Sequence, residues 1–235
     1  MKAKRHFSVA NFLIALVLLI LLTPFVVELS YGKAIEALLL TGVLLTAVPA
    51  VGARRRSFGM AIALVVPALL GTWLHRGQPE TVTRTMALVP AIAFAIFVIY
   101  HLFAFIMRSP RVNSEVLCAA VATYLMLGIV WSMAYELVWE LSPESFIVTP
   151  LEKGGDRAIS EFEALYFSFG TLAPINDNDI TPKSNLARVL VMTEAIAGML
   201  FMGMLIARLV GIYSSEEAAE ERLAEAKNDA AISDE

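Results

Sequence analysis

The apolar residues of this chain are gathered into long uninterrupted blocks, and this patterning limits the fold more than any other feature. A bilayer core about 30 Å thick requires about 20 apolar residues at a helical rise of about 1.5 Å each. The blocks lie at about residues 7–27, 35–51, 58–74, 86–107, 116–138 and 186–210. They predict an all-α membrane protein with six transmembrane helices. The third block is short and contains Pro67 and Gly71, so its limits are the least defined.

Composition excludes several classes of protein. Apolar residues make up 58% of the chain and charged residues only 17%, against about a quarter in soluble domains. This argues against a soluble enzyme, a nucleic-acid-binding protein and a disordered chain. The single cysteine, Cys118, permits neither an internal disulfide nor a cysteine-based zinc or haem motif. The three histidines are far apart in sequence and form no Ser-His-acid pattern, so we expect neither enzymatic activity nor a cofactor.

The distribution of Lys and Arg predicts the orientation in the membrane. Cytoplasmic loops are enriched in these residues. If the N-terminus is cytoplasmic, the inner segments contain Lys2, Lys4, Arg5, Arg54, Arg55, Arg56, Arg108 and Arg111, and the two short outer loops that face them contain only Lys33, Arg76 and Arg84. Both termini are therefore predicted to be cytoplasmic, with residues 76–84 and 142–183 outside.

The segment between the fifth and sixth apolar blocks differs from every other loop. Ser160 and Glu163 have the spacing of a capping box, and the aromatic stretch that follows predicts a half-length helix. Lipid cannot satisfy an exposed backbone, so a re-entrant segment of this kind must be surrounded by protein or line a water-filled cavity. A polar turn-forming stretch, TLAPINDND, comes next. A long helix, a re-entrant half-helix, a polar loop and a second long helix form the plan of a tetrameric channel pore.

Residues 166–213, YFSFGTLAPINDNDITPKSNLARVLVMTEAIAGMLFMGMLIARLVGIY, resemble the pore and inner helix of the potassium channel superfamily. The similarity is greatest to bacterial six-span channels that lack a voltage sensor, and residues 111–146 resemble their outer helix. The positions that match are Tyr166–Phe169, Thr171, Leu172, Asp179, Ile180, Pro182, Ala187, Arg188, Glu194, Ala195, Gly198 and Ala207–Gly211.

The resemblance implies a homotetramer in the bacterial inner membrane, whose partners are other copies of the chain and lipid. It divides the chain into a peripheral domain (1–111), a pore domain (112–213) with an outer helix, a re-entrant pore helix and an inner helix, and an acidic cytoplasmic tail (214–235). The fourth block lacks the regularly spaced basic residues of a voltage sensor. The first four spans are therefore interpreted as a peripheral scaffold without gating arginines.

The sequence departs from the family at the selectivity filter. Where the family has T-V-G-Y-G, this chain has Pro174, Ile175, Asn176, Asp177 and Asn178. Potassium filters use rings of backbone carbonyls. Asn tolerates left-handed backbone angles better than most residues other than glycine, but proline restricts the preceding residue. We therefore expect weakened or lost potassium selectivity.

The acidic and polar residues of this loop suggest how cations would interact with it. Four copies would form carboxylate rings of Asp177 and Asp179, preceded by Thr171 at the start of the filter. Asp177 and Asn176 are candidate cation ligands, because oxygen ligands suit Ca²⁺ and hydrated cations. The alternatives left open are a solvated turn at Asp177 in a non-conducting loop and a purely structural role for Asp179, which matches the family's own aspartate.

Three residues of the sixth block are candidates for pore support and gating. Glu194 is its only acidic residue, and it would either brace the filter or pore helix or form a structural hydrogen bond between helices. Gly198 and Gly203 would either act as a hinge or permit close helix packing. The function expected is passive conduction of K⁺, Na⁺ or Ca²⁺. The alternatives are a non-conducting or regulatory relative and a transporter.

Overall fold

The computed structural model describes residues 2–27, 32–50, 55–74, 81–110, 113–148, 159–173 and 179–233. The helices of this part are α1 (Lys2–Val27), α2 (Gly32–Ala50), α3 (Arg55–Leu74), α4 (Thr81–Arg108), α5 (Ser114–Leu141), α6 (Glu161–Leu172) and α7 (Asn185–Ser233). A 3-10 turn (Pro143–Ser145) and two short strands, β1 (Phe146–Val148) and β2 (Ile180–Pro182), complete it. The all-α prediction is confirmed.

Helices occupy all six predicted apolar blocks, but they are not equally suited to crossing a membrane. Four contain stretches long and apolar enough to do so: Val9–Val26 in α1, Thr85–Arg108 in α4, Ser114–Leu141 in α5 and Asn185–Arg208 in α7. The described parts of α2 and α3 provide shorter apolar stretches, Leu38–Val48 and Gly59–Leu70. By length and composition the described residues therefore give four candidate spans, and six remains a prediction.

The main apolar core lies between the peripheral helices and α5. Helix α1 packs against α2 and α5, while α4 packs against α3 and α5. Fully buried side chains on α1 and α4, among them Phe12, Leu16, Phe94 and Val98, form its centre. Helix α5 also contacts α6 and α7, so it connects the peripheral helices to the predicted pore helices.

A second, smaller core lies near the C-terminal end of α5. Tyr135, Phe146 and Phe167 pack edge to face, with ring centroids 4.9–6.2 Å apart. Strands β1 and β2 pair antiparallel, with Phe146 opposite Pro182. The Ser145 carbonyl accepts hydrogen bonds from the backbone N–H groups of Lys183 (2.8 Å) and Ser184 (3.2 Å). The chain that follows the filter segment is thus fixed to the chain that leaves α5.

Helix α7 continues beyond the sixth apolar block. The block ends at about residue 210, whereas the helix runs to Ser233. The residues after Gly211 include no proline or further glycine and are rich in Ala and Glu, which have high helix propensity. The predicted boundary at residue 213 therefore coincides with a change from apolar to charged composition within one helix.

The orientation is tested by labelling two exposed positions at opposite ends of α5. We expect Glu144→Cys to react with a membrane-impermeant maleimide in intact cells. Pro110→Cys should react only after permeabilisation, because the Lys and Arg distribution places it inside. Both variants are made in a Cys118→Ala background. The reverse pattern of labelling would contradict the predicted orientation.

Candidate functional site

The short helix α6 begins at a complete capping box. The Ser160 side chain accepts a hydrogen bond from the Glu163 backbone N–H (3.2 Å), and the Glu163 carboxylate accepts one from the Ser160 N–H (2.8 Å). The motif read from the sequence is present and satisfies two otherwise unpaired donors. The helix ends at Leu172, immediately before the filter segment.

Glu194 on α7 connects three helices through its two carboxylate oxygens. Its side chain is fully buried. One oxygen accepts a hydrogen bond from the hydroxyl of Tyr135 on α5, and the other from the hydroxyl of Ser168 on α6. Because a buried polar group without partners is costly, these bonds fix the relative positions of α5, α6 and α7. We call Glu194, Tyr135 and Ser168 the carboxylate bridge.

The α5–α6 contact beside the bridge depends on a glycine. A Cβ atom at Gly128 would lie 2.6 Å from the ring of Phe169, so only glycine allows this approach without displacing the ring. The backbone oxygen of Gly128 also lies 2.8 Å from the Ser168 hydroxyl. This oxygen is an alternative acceptor for the one proton of the Ser168 hydroxyl, so close packing and a polar contact occur together on the face of α6 directed toward α5.

Two further contacts position α7. The indole N–H of Trp131 on α5 donates a hydrogen bond to the backbone oxygen of Leu190 (3.2 Å). A Cβ atom at Gly198 would lie 2.8 Å from Cδ2 and 3.2 Å from the backbone oxygen of Leu172. Gly198 thus lets α7 approach the last turn of α6, whereas a Cβ at Gly203 would have nothing within 4 Å. These environments favour close packing at Gly198 and leave the hinge hypothesis as a prediction.

The predicted filter lies between two residues whose positions are described. The Thr171 hydroxyl donates a hydrogen bond to the Phe167 backbone oxygen within α6 (2.9 Å). Asp179 is exposed and directly precedes β2. Pro174, Ile175, Asn176, Asp177 and Asn178 lie outside the described residues, and with them the candidate cation ligands Asp177 and Asn176. Within the described ranges of a single chain, no group of three or more His, Cys, Asp or Glu residues is arranged to hold a metal ion.

The sequence singles out Glu194 but not its hydrogen-bond partners. It predicts no role for Tyr135, Ser168 or Gly128, although each is a hydroxyl residue or a glycine within an apolar helical stretch. A lone acidic residue in such a stretch requires hydrogen-bond donors from neighbouring helices. That requirement is visible in the sequence, whereas the choice among the available donors depends on how the helices pack.

Comparison with known families agrees with this geometry. A family model described as an ion channel matches residues 115–215, from the first turn of α5 into α7. The match covers all three members of the carboxylate bridge. No curated protein and no solved structure gives a significant match. The matched segment supports an ion channel of the potassium-channel type, and its apolar helices support an integral membrane protein.

The carboxylate bridge is tested by matched substitutions. Glu194→Leu leaves the buried Tyr135 hydroxyl without its acceptor, and this should cost about 1–3 kcal/mol of stability. Glu194→Gln keeps the size and one carbonyl acceptor, so its loss should be smaller. Thermal unfolding of purified protein measures both effects, with Tyr166→Phe, at an exposed position on α6, as the control. Equal stability of Glu194→Leu and wild type would show that the bridge does not fix these helices.

Proposed function

We propose that this protein is a cation channel whose pore is formed by four copies of residues 112–213. The observation that carries the proposal is the position of α6, a short helix held between two long apolar helices by the carboxylate bridge. Its 12 residues make it about 18 Å long, too short to cross a bilayer core of about 30 Å. The proposed arrangement is re-entrant, with protein contacts from α5 and α7 replacing lipid.

The direction of α6 favours cations over anions. The end of a helix at which carbonyl groups remain unpaired carries a partial negative charge. In α6 this end is the turn at Leu172, which leads into residues 174–178. In a tetramer four such ends would converge on the filter. Asp177 and Asp179 would add negative charge of their own, which raises the local cation concentration.

The exposed surface of α7 supports self-association. Only 17% of its apolar stretch is buried within one chain, compared with 61% for α5. Large apolar side chains are left exposed along it: Leu186, Val189, Met192, Ile196, Met199, Leu200 and Ile206. One chain contributes one α6, which cannot enclose a pore alone. In the proposed homotetramer other copies cover part of this surface, and the remainder lines the pore.

The proposed filter is wider and more hydrated than a potassium filter. Pro174 replaces a threonine hydroxyl, and Asp177 replaces a tyrosine that packs behind the filter in the family. An unpaired buried carboxylate is costly, so Asp177 is proposed to face water and bind cations together with Asn176. Oxygen ligands of this kind suit divalent ions. Selectivity for K⁺ would then be weak, with divalent block or permeation.

The remaining helices are proposed to form a peripheral scaffold in a six-span protein of the bacterial inner membrane, with both termini cytoplasmic. Helix α4 carries no regular series of basic residues within its apolar stretch. His101 lies within α4, and one of its ring nitrogens is 3.0 Å from the Phe97 backbone oxygen. These features support a structural role for α4 rather than the movement of charge across the membrane field.

The second candidate function is a non-conducting or regulatory membrane protein with a channel-like fold. The observation that favours it is the replacement of both filter glycines together with the introduction of Pro174. A transporter is less well supported, because transporters of known plan have broken helices in corresponding positions of repeated halves, and the sequence shows no convincing repeat.

The assembly is tested by native mass spectrometry of the purified protein. We expect a tetramer, because a closed pore of this plan requires four pore helices. The same measurement on Met199→Glu, which places a charge on the exposed apolar face of α7, should show loss of the tetramer. A wild-type protein that is only monomeric or dimeric would contradict the proposed pore.

Selectivity is tested by recording currents from purified protein in bilayers under K⁺, Na⁺ and Ca²⁺ gradients. We expect a potassium-to-sodium permeability ratio below about ten, because the altered loop lacks closely spaced carbonyl rings. Asp177→Asn should weaken divalent block or permeation, since it removes charge while keeping size. Replacement of residues 174–178 by T-V-G-Y-G should raise potassium selectivity.

The outcomes of the recordings separate the two candidate functions. Strong potassium selectivity of wild type would show that Asn176 and Asn178 replace glycine fully and would contradict the proposed filter. Absence of current from both wild type and the restored filter, in a protein shown to be tetrameric, would favour the non-conducting alternative.

A further inference from the structure

Arg208 connects α7 to the end of a helix about one hundred positions earlier in the chain. Its guanidinium nitrogen Nη2 donates hydrogen bonds to the backbone oxygens of Met107 (3.0 Å) and Ser109 (2.7 Å). Met107 lies in the last turn of α4, and Ser109 is the first residue after it. We call this contact the Arg208 anchor.

The physical basis of the anchor is the electrostatics of a helix terminus. The last carbonyl groups of a helix have no partners within it and carry partial negative charge, so a cationic donor is favourable there. Bonds from a guanidinium are charge-assisted and stronger than bonds between neutral groups. Ser109 is buried, and its hydroxyl donates to the Phe105 backbone oxygen (2.8 Å), so the acceptors lie on an ordered segment.

Apolar contacts also hold α7 near the anchor. The ring of Phe201 packs near Phe103 of α4 and Tyr124 of α5, with centroids 6.5 and 6.2 Å apart. Beyond Phe201, Leu205 packs against the main apolar core and Ile206 is exposed. Arg208 adds directional, charge-assisted hydrogen bonds to these apolar contacts.

The hydrogen-bonding capacity of the Arg208 guanidinium is only partly used in the anchor. Arg208 Nε is buried and has no hydrogen-bond partner, and the same is true of Glu115 Oε1 in the first turn of α5. A buried donor or acceptor without a partner costs free energy. The contact is thus weaker than one that uses the whole guanidinium.

We propose that the Arg208 anchor sets the position of the cytoplasmic end of α7 and thereby controls the channel gate. This gating role rests on the proposed function of the protein as a cation channel. In the proposed tetramer, the anchored end lies against the peripheral helices and away from the pore axis, which favours the open state. Loss of the anchor lets the four ends converge on the axis. Arg208 is then a positioning residue that couples α4 to the pore.

The anchor itself is tested by hydrogen–deuterium exchange of the full-length protein in nanodiscs, a measurement that does not depend on conduction. Arg208→Gln should accelerate exchange in peptides covering residues 104–113 and 204–211. Arg208→Lys keeps the charge and a donor and should show a smaller effect. The control is Arg188→Gln, at an exposed position near the other end of the same helix. Exchange in Arg208→Gln equal to that of wild type would overturn the proposal.

Coupling to the gate is tested by bilayer recordings of the same variants. We expect Arg208→Gln to lower the ratio of open to closed time by about tenfold, equivalent to about 1.4 kcal/mol, with an unchanged reversal potential. Arg208→Lys should recover much of this ratio. An unchanged ratio in Arg208→Gln would overturn the gating role. Faster exchange in Arg208→Gln, with no current from wild type, would mean that the anchor exists and the proposed function fails.

Discussion

The carboxylate bridge is the interaction on which the matched channel segment depends. A carboxyl group in an apolar environment must have hydrogen-bond partners, and Glu194 obtains one from α5 and one from α6. The apolar contacts around it permit many small sliding motions, since apolar side chains attract one another without strict directionality. The two hydrogen bonds are directional and remove this freedom. One side chain on α7 thereby sets the height and rotation of the short helix that leads into the filter.

The rest of the segment is arranged so that the bridge can form. Gly128 and Gly198 remove side chains where Phe169 and the end of α6 approach, and small residues allow helices in membranes to come close together. The β1–β2 pairing fixes the chain just before α7, and the Arg208 contact lies near the end of the apolar stretch of α7. Hydrogen bonds therefore position this stretch near both of its ends and at the bridge.

Much of this architecture follows from the sequence, because it depends on local rules. The apolar blocks predicted the helices, and Ser160 with Glu163 predicted the start of α6, since both signals involve residues close together in the chain. The partners of Glu194 and Arg208 lie far away in sequence, so they emerge only once the helices are packed. The continuation of α7 also follows a local rule, because residues of high helix propensity extend beyond the apolar block.

Contacts within one chain determine the arrangement of the carboxylate bridge, whereas contacts between copies of the chain would determine the structure of the filter. Tyr135, Ser168 and Glu194 satisfy one another within a single chain, so their arrangement does not require a neighbouring subunit. The filter of the proposed channel lies on the symmetry axis, where each residue meets its own copies. Four equal charges at Asp177 repel one another unless cations or water separate them. In the proposed channel, an acidic loop therefore favours a hydrated, cation-occupied axis. The replaced filter residues would change the ion environment without requiring any change in the carboxylate bridge.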